Sequence, residues 1–470
     1  MSASDLYRLT ATDLLAGYAR RDFSPVDVTR ACLDRIAATN PVLNAFCLVD
    51  EASALASAQA SEARWQKGES LGVLDGVPTS IKDLFQTKGW PTLCGSKAVD
   101  PDQKWEVDAP SVARLREAGA VLLGKTTTSE FGHKGVCDNP LTGITRNPWN
   151  PEMTPGGSSG GAGTATAAYM APLNLGSDGG GSIRIPASFC GVVGFKPGFG
   201  VVPEPASITG PLVGSGPLTR SVADAALMMS VLARPDARNP NPASFTTPDF
   251  HGVLQDGVQG WRIGYLPTIN DAPVEPEIAQ AVAAGAMRFR ELGATVEEAS
   301  LSLPGETDIY ITILSAGTAL LLDRFTPEQQ ALMEPPLRTL AAMGRKVSGV
   351  DYARAYHQVR SQYIVALRAL FARYDLLVLP SMPAPAFPVL HDYPGEQTGE
   401  WRADWTPFTH PFNLTSSPCC SIPCGVTRSG LPIGLQLVGP WGGDRAVLQA
   451  AMRFEDARGA FPPPSEANFA

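Results

Sequence analysis

The sequence is poor in histidine and cysteine and carries no excess of positive charge. It has only 5 histidines and 8 cysteines in 470 residues, and acidic residues outnumber basic ones by 46 to 37. Cys420 and Cys424 lack the spacing and the histidine array of a zinc site, so we expect no metal centre. A net charge of -9 excludes the basic footprint that is typical of nucleic-acid binding.

Long apolar runs are also missing. No window approaches the roughly 20 apolar residues of a membrane-spanning helix. Residues 1–8 lack the basic stretch and apolar stretch that mark a secretory signal. Sparse cysteines in such a chain are typical of reduced, buried thiols. We therefore expect a cytoplasmic protein that binds neither membrane nor nucleic acid.

No repeat and no Pro/Gly/Ser-rich linker divides the chain, which predicts one large domain over residues 1–470. We divide it into N-terminal helices over 9–66, a central core over 70–235 and a C-terminal part over 260–460 that contributes a pocket wall. Strand and helix patterns alternate after residue 262 as they do in βαβ units. This alternation predicts an α/β fold with a largely parallel core sheet.

Two glycine-rich loops, each holding serine, stand out in the central core. The first is Pro155-Gly-Gly-Ser-Ser-Gly-Gly161, and the second runs from Gly176 to Arg184. The small apolar residues 162–175 between them predict a buried helix followed by a short strand. Glycine loses more conformational freedom on folding than other residues, so its repeated use indicates backbone that approaches a ligand closely. We predict acyl-transfer chemistry at these serines.

A serine hydroxyl needs a base to become a nucleophile. None of the five histidines lies in a glycine-rich or Asp-paired motif. Lys82 lies in an apolar run, flanked by Ile81 and Leu84, and burial there would lower its pKa from about 10.4 far enough for it to act as a base. A lysine in such a place is also compatible with a snorkelling residue on an edge strand.

The second loop also offers donors for an oxyanion. Gly179, Gly180 and Gly181 precede Ser182 and present successive N–H groups free of side chains. A helix that starts after Ser182 would add the positive end of its dipole.

Two other motifs match the sequence only formally. Residues 119–126 fit the phosphate-binding pattern G-x-x-x-x-G-K-[ST], but their middle is an apolar strand and not a loop. Residues 157–161 fit the G-x-S-x-G elbow of α/β-hydrolases, which would make the protein a histidine-dependent esterase. That fold requires a strand before the elbow and a late histidine, and His410 is the only candidate. We therefore favour neither motif.

The chain resembles the amidase signature family over nearly all of its length. The resemblance is carried by Gly76-Val-Pro-Thr-Ser-Ile-Lys82-Asp83, Asn147-Pro-Trp-Asn150, Pro155-Gly-Gly-Ser-Ser-Gly-Gly161, Ser177-Asp-Gly-Gly-Gly-Ser-Ile-Arg-Ile-Pro186, Gly191-Val-Val-Gly-Phe-Lys-Pro197 and Gly430-Leu-Pro-Ile-Gly-Leu-Gln436. The fold it implies is a single α/β domain with a mixed, mostly parallel central sheet covered by helices on both faces.

The resemblance also implies a catalytic set of two serines and a lysine. Ser182 would be the nucleophile, Ser158 would relay its proton, and Lys82 would be the base. The peptide bond between Gly157 and Ser158 would be cis. No metal or cofactor is implied. The oxyanion hole would consist of the N–H groups of Gly179, Gly180, Gly181 and Ser182.

Weaker signals surround this set. Asp178 could shape the second loop by accepting N–H bonds, although an ordinary turn aspartate has the same pattern. Arg184 could pair with Asp178 or cap the loop. Ser159 is either structural or bonded near the nucleophile, and Ser177 could support Lys82. Polar residues before the first serine loop are further candidates for the pocket lining, although polar loop residues often have no role: Thr128, Ser129, His133 and Cys137.

These features predict a hydrolase that cleaves an amide C–N bond through an acyl-enzyme. The same machinery suits carbamates and esters, and the aromatic and proline residues of 387–412 suggest an apolar or aryl substrate. We expect a monomer or homodimer that acts on a small molecule. The alternative is an amidotransferase A-type subunit that works with partner chains, although residues 131–139 depart from the pattern expected of it. An inactive binding protein is disfavoured because all three catalytic residues are present.

Overall fold

The computed structural model describes residues 3–204, 212–239, 249–304, 306–395, 397 and 401–469. Within these residues the chain forms one eleven-stranded sheet and a small two-stranded sheet. The strands are β1 (Phe46–Val49), β2 (Pro78–Lys82), β3 (Val121–Thr126), β4 (Asp138–Asn139), β5 (Gly143–Ile144), β6 (Leu173–Asp178), β7 (Val193–Lys196), β8 (Gly214–Thr219), β9 (Arg262–Tyr265), β10 (Thr295–Glu298), β11 (Leu376–Pro380), β12 (Cys419–Val426) and β13 (Pro432–Val438).

The large sheet is mixed, as predicted. Its strand order is β1-β3-β2-β6-β8-β7-β12-β13-β11-β9-β10. Parallel pairs join β2 to β3 and β6, and β9 to β10 and β11. The remaining six pairs in the described sheet are antiparallel and include those of its centre. The βαβ pattern after residue 262 corresponds to the parallel pair β9 and β10.

The helices are α1 (Ala11–Arg20), α2 (Pro25–Leu43), α3 (Glu51–Lys67), α4 (Pro110–Glu117), α5 (Gly160–Ala167), α6 (Arg184–Cys190), α7 (Val222–Leu232), α8 (Pro276–Glu291), α9 (Glu306–Leu322), α10 (Pro327–Ala331), α11 (Pro335–Gly344), α12 (Gly349–Ala353), α13 (Arg360–Phe371), α14 (His410–Leu414) and α15 (Asp444–Arg458). Local sequence sets their starts. Ser24 caps α2 through a capping box with Asp27, and Pro25 occupies the first turn, where its missing N–H costs nothing.

Helices pack on both faces of the sheet, which makes the protein a single large α/β domain. Alternate residues of β3 show this arrangement, because side chains of a strand point alternately to opposite faces. Val121 and Leu123 enter the core formed with α2 and α3, whereas Leu122 enters the core formed with α4 and α7. None of the helices in the described residues is long and apolar enough to cross a membrane. The division into three sections stays a prediction.

The topology brings the two serine loops and the lysine to one edge of the sheet. Strands β2 and β6 are parallel neighbours, so their carboxyl ends meet. Lys82 ends β2, and Ser177 and Asp178 end β6. The predicted helix and strand between the loops are present as α5 and β6. Strand β3 runs through Gly124-Lys125-Thr126, so this stretch does not form a phosphate-binding loop.

Candidate active site

Lys82 is the centre of a buried cluster of hydroxyl groups. Its side chain is fully buried. Its Nζ lies 2.7 Å from Ser158 Oγ, 2.8 Å from Ser159 Oγ and 3.0 Å from Ser177 Oγ. Burial lowers the pKa of Lys82 to about 7, because removal from water disfavours the ammonium form. A substantial fraction of this lysine is therefore a neutral amine at neutral pH.

The two adjacent serines of the first loop have different hydrogen bonds. Ser159 Oγ donates to the Ser177 carbonyl at 3.1 Å and accepts from the Ser177 N–H at 3.2 Å. Its proton is therefore committed to the backbone. Ser158 Oγ contacts Lys82 and forms no other hydrogen bond within the described residues. Ser158 thus has a proton that can move, and its peptide bond with Gly157 is cis.

Close packing explains why glycine surrounds Ser158. A Cβ at Gly157 would lie 2.2 Å from the Val136 carbonyl oxygen. A Cβ at Gly160 would lie 2.3 Å from Cys137 Cβ. The first serine loop therefore lies directly on residues 136–137, where no side chain fits.

Ser182 follows the carboxyl end of β6 and is only partly buried, on the floor of a cleft. Its carbonyl oxygen accepts the N–H of Ser159 at 3.1 Å, which ties the two serine loops together. The Gly181 N–H donates to Asp178 Oδ1 at 2.7 Å. Within the described residues, the N–H groups of Gly179, Gly180 and Ser182 donate to no protein group. These three donors are the ones left for a bound oxyanion.

Asp178 and Arg184 form a buried ion pair beneath the second loop. Arg184 Nε and Nη2 donate to the two carboxylate oxygens of Asp178, each at 2.9 Å. Burial alone would raise the pKa of Asp178, but the Arg184 guanidinium holds that pKa well below its usual range. Asp178 also accepts the N–H of Ile183 at 3.1 Å. The pair thus shapes the loop that carries Ser182.

Residues far along the chain complete this network. Arg184 Nη1 donates to the Thr409 carbonyl and to Gln436 Oε1, each at 2.9 Å, and Nη2 donates to Asn413 Oδ1 at 2.6 Å. Gln436 ends the last motif of the family resemblance. Thr409 and Asn413 had no signal in the sequence, because they become neighbours of the loop only when the sheet closes.

A cleft that is partly open to solvent lies above Ser182. Its walls come from the segment before the first serine loop, from α9 and α11, and from the long segment before α14. They are lined by Gly132, His133, Lys134, Gly135, Gly180, Ser182, Ile185, Tyr310, Pro336, Asp392, Tyr393, Trp401, Arg402, Ala403, Trp405 and Thr406.

Of the four polar residues predicted to line the pocket, the structure places His133 in the cleft wall. The other three are buried outside it. Ser129 Oγ donates to the Lys134 carbonyl at 3.2 Å. The Thr128 carbonyl accepts from the Asn139 side chain, and Cys137 lies against the first serine loop.

One wall of the cleft is charged. Lys134 Nζ lies between three carboxylates, at 3.0 Å from Asp138, 2.9 Å from Glu334 and 3.1 Å from Asp392. Burial raises the pKa of Glu334 to about 7. Burial also lowers the pKa of His133 to about 3, so this imidazole is neutral at physiological pH.

Histidine takes no part in the serine cluster within the described residues. His410 is buried and stacks on Tyr310 with 5.0 Å between the ring centroids. Burial lowers the pKa of His410 to about 4. The segment before Gly157 is not a strand either. Both features oppose the histidine-dependent esterase.

The chain is similar to known proteins over almost its whole length. The family model for amidases matches residues 27–448. The chain is 36% identical to an acylamidase of Rhodococcus erythropolis, over 97% of each chain. It is also 36% identical to the A-type subunit of the glutamyl-tRNA(Gln) amidotransferase of Acidothermus cellulolyticus, over 97% of this chain and 96% of that one.

Among solved structures, a bacterial aryl acylamidase of the amidase signature family superposes with a TM-score of 0.89. The two chains are 32% identical, and the match covers 96% of each. Sequence and fold therefore agree over almost the whole length. The chain belongs to the amidase signature family of enzymes.

Proposed function

We propose that this protein hydrolyses a small-molecule amide through an acyl-enzyme on Ser182. The observation that carries the proposal is the contact of 2.7 Å between Lys82 Nζ and Ser158 Oγ. Since burial lowers the pKa of Lys82 to about 7, the amine can accept a proton at neutral pH. Ser158 contacts this base, and the N–H of the next residue, Ser159, bonds to the Ser182 carbonyl.

In the first half of the reaction, Lys82 takes the proton of Ser158 as Ser158 takes the proton of Ser182. Ser182 Oγ then bonds to the amide carbon, and the carbonyl electrons move to its oxygen. The N–H groups of Gly180 and Ser182 lie at the cleft floor and donate to this oxyanion, with Gly179 beside them. Each preorganised donor of this kind lowers the barrier by about 2.7–4 kcal/mol.

In the second half, the C–N bond breaks and the proton held by Lys82 returns through Ser158 to the leaving amine. Water then attacks the ester on Ser182 and gives up a proton along the same path. The tetrahedral intermediate formed in this way breaks its bond to Ser182 Oγ and releases the carboxylic acid, and Ser182 regains its proton through Ser158. Lys82 and the two serines are thereby restored.

The cleft walls favour an apolar or aryl substrate. Four aromatic side chains lie among the lining residues: Tyr310, Tyr393, Trp401 and Trp405. Aromatic surfaces stabilise a flat apolar ligand through area burial and ring stacking. The similarity to an acylamidase and to an aryl acylamidase supports an acylated aromatic amine as the substrate class. Carbamates and esters pass through the same tetrahedral anion and are expected side substrates.

Purified protein assayed on 4-nitroacetanilide tests the proposal. We expect release of 4-nitroaniline and a loss of at least about 10³-fold in Ser182→Ala. Ser421→Ala is the matched control, because Ser421 is a buried serine of β12 that lies outside the cleft. Normal turnover by Ser182→Ala would refute the proposed nucleophile.

A second candidate is the A-type subunit of an amidotransferase, acting with partner chains. Its support is the 36% identity to such a protein, equal to the identity to the acylamidase. The two candidate functions predict different assay results. Rapid anilide hydrolysis by the isolated chain favours the hydrolase. Activity on glutamine that appears only with co-purifying partner chains favours the amidotransferase.

We also propose a cytoplasmic location for a monomer or homodimer. All eight cysteines are free thiols, and five of them are buried. A reducing compartment is compatible with this state. Fractionation of the source cells and size-exclusion chromatography of the purified chain would test both points.

A further inference from the structure

Thr409 lies directly against the loop that precedes Ser182. It is fully buried, at the end of the long segment before α14. Its Oγ1 donates to the Gly180 carbonyl at 2.6 Å, with the Thr406 carbonyl as a more distant acceptor at 3.2 Å. A Cβ at Gly181 would lie 2.7 Å from the Thr409 side chain, so the two are in direct contact.

The peptide unit between Gly180 and Gly181 is consequently held at both ends. Its carbonyl oxygen accepts from Thr409, and its N–H donates to Asp178 Oδ1 at 2.7 Å. The two neighbouring peptide units carry the N–H groups of Gly180 and Ser182. The central unit is joined to both of these units through the Cα atoms of Gly180 and Gly181, so its orientation constrains theirs.

Three successive glycines do not hold such an orientation by themselves. Glycine populates positive and negative φ angles about equally, and Gly181 has a φ of 126° here. Because the peptide unit is planar, its N–H and carbonyl point in opposite directions, so Asp178 and Thr409 restrain the same rotation from its two sides. Thr409 is thus a second restraint on the orientation that Asp178 sets.

We propose that Thr409 is a positioning residue for the oxyanion hole and acts through the Gly180 carbonyl. The inference rests on the proposed function, since it assumes an oxyanion at Gly180 and Ser182. Thr409 does not have to contact the substrate in this role. It differs from Asp178 and Arg184 because it comes from the segment whose residues Trp405 and Thr406 line the cleft.

Loss of the hydroxyl need not unfold the protein. The Thr409 carbonyl still accepts from Arg184 Nη1 when the side chain is changed. Thr409→Val keeps the shape of the side chain and removes only the donor. Thr409→Ser keeps the donor and removes a methyl group.

The matched control is Thr415→Val. Thr415 is also buried, and its Oγ1 donates to the Pro411 carbonyl at 3.1 Å, outside the oxyanion loop. The assay measures kcat and KM for 4-nitroacetanilide. It also measures inhibition by an aryl trifluoromethyl ketone, which forms a tetrahedral adduct with a nucleophilic serine.

We expect Thr409→Val to lower kcat by at least about tenfold while KM changes by less than about threefold. Affinity for the trifluoromethyl ketone falls by a similar factor, because the adduct needs the same donors. Thr409→Ser recovers most of both losses. Thr415→Val keeps the wild-type kcat even where its melting temperature falls.

The inference is overturned if Thr409→Val and Thr415→Val have the same kcat, or if Thr409→Ser is as slow as Thr409→Val. Thr409→Ala replaces the valine variant if that variant does not fold, with the same criteria. Failure of the proposed function itself would be seen separately, as full activity in Ser182→Ala.

Discussion

Lys82 Nζ and Ser158 Oγ lie 2.7 Å apart with both side chains buried, and water has little access to their hydrogen bond. Burial lowers the pKa of Lys82 to about 7. The neutral amine is the active form, so we expect kcat/KM to rise about tenfold per pH unit below pH 7 and to level off above it. A pH profile of 4-nitroacetanilide hydrolysis measures this.

Glu334, which pairs with Lys134 of the cleft wall, also has a pKa raised by burial to about 7. Glu334→Gln is therefore the control, and its profile should keep the rise near pH 7. Lys82→Arg should be inactive, because a guanidinium stays protonated. A profile that is flat from pH 5 to 9 in the wild type would contradict Lys82 as the base.

The same pKa shift predicts how Lys82 affects stability. Below pH 7 the lysine is protonated in the folded and unfolded chains, and the cost of burying its charge is complete. Between about pH 7 and 10.5 only the unfolded chain binds the additional proton, so stability rises with pH through this window. Lys82→Met has no such group.

We therefore expect the unfolding free energy of the wild type, relative to Lys82→Met, to increase by about 3 kcal/mol from pH 7 to pH 10. Urea denaturation at the two pH values measures the difference. Lys67→Met, which removes an exposed lysine at the end of α3, is the control. A difference that does not change with pH would mean that Lys82 has a pKa close to that of free lysine.

The apolar neighbours of Lys82 indicated a strand-like run and favoured a buried lysine, but they left a position on an edge strand open. It also located α5 and β6 between the serine loops from the small apolar residues there. Such features are local, and the short-range pattern encodes them. The contacts of Ser177 and Ser159 with the lysine could not be predicted from a short-range pattern, because they depend on the alignment of β2 and β6.

The cleft was harder to predict for the same reason. Thr409, Asn413 and Tyr310 reach the second loop from more than 100 residues away, and no spacing rule links them to it. The residues predicted to line the pocket because they precede the first loop lie in different places. His133 lines the cleft, but Cys137 is buried against Gly160 of the first serine loop.

Ser158 and Ser159 should differ in activity although they are adjacent. Ser158→Ala removes the proton relay, and we expect kcat/KM to fall by about 10²–10⁴-fold. Ser159 Oγ donates to the Ser177 carbonyl, so Ser159→Ala should cost mainly stability and no more than about tenfold in rate. Steady-state kinetics of both variants decide this. A larger loss in Ser159→Ala would assign the relay to Ser159.

The buried pair of Asp178 and Arg184 should be sensitive to removal of either partner. Arg184→Met leaves the Asp178 carboxylate buried without its main counter-charge, and we expect a loss of about 3–5 kcal/mol of stability. Asp178→Asn likewise leaves the Arg184 guanidinium buried without its counter-charge. The double variant should recover part of the loss, since no isolated charge remains.

Urea denaturation of the wild type, the two single variants and the double variant measures this coupling. Additive losses would show that the two residues contribute independently. Activity should remain low in all three variants, because the ion pair that shapes the loop carrying Ser182 is lost in each.

The aromatic wall of the cleft should decide which amides the enzyme accepts. Trp401 lines the cleft and is only partly buried, at the edge of the core against which it packs. We expect Trp401→Ala to raise KM for 4-nitroacetanilide by about tenfold and to leave acetamide hydrolysis nearly unchanged, because only the anilide carries a ring to stack. Trp441→Ala is the matched control, since Trp441 is 72% exposed and lies outside the cleft. Equal effects of Trp401→Ala on both substrates would place the aryl group elsewhere. Trp401 and Thr409 belong to the same segment before α14. If the aryl group stacks on Trp401, this one segment both selects the substrate and orients the oxyanion hole.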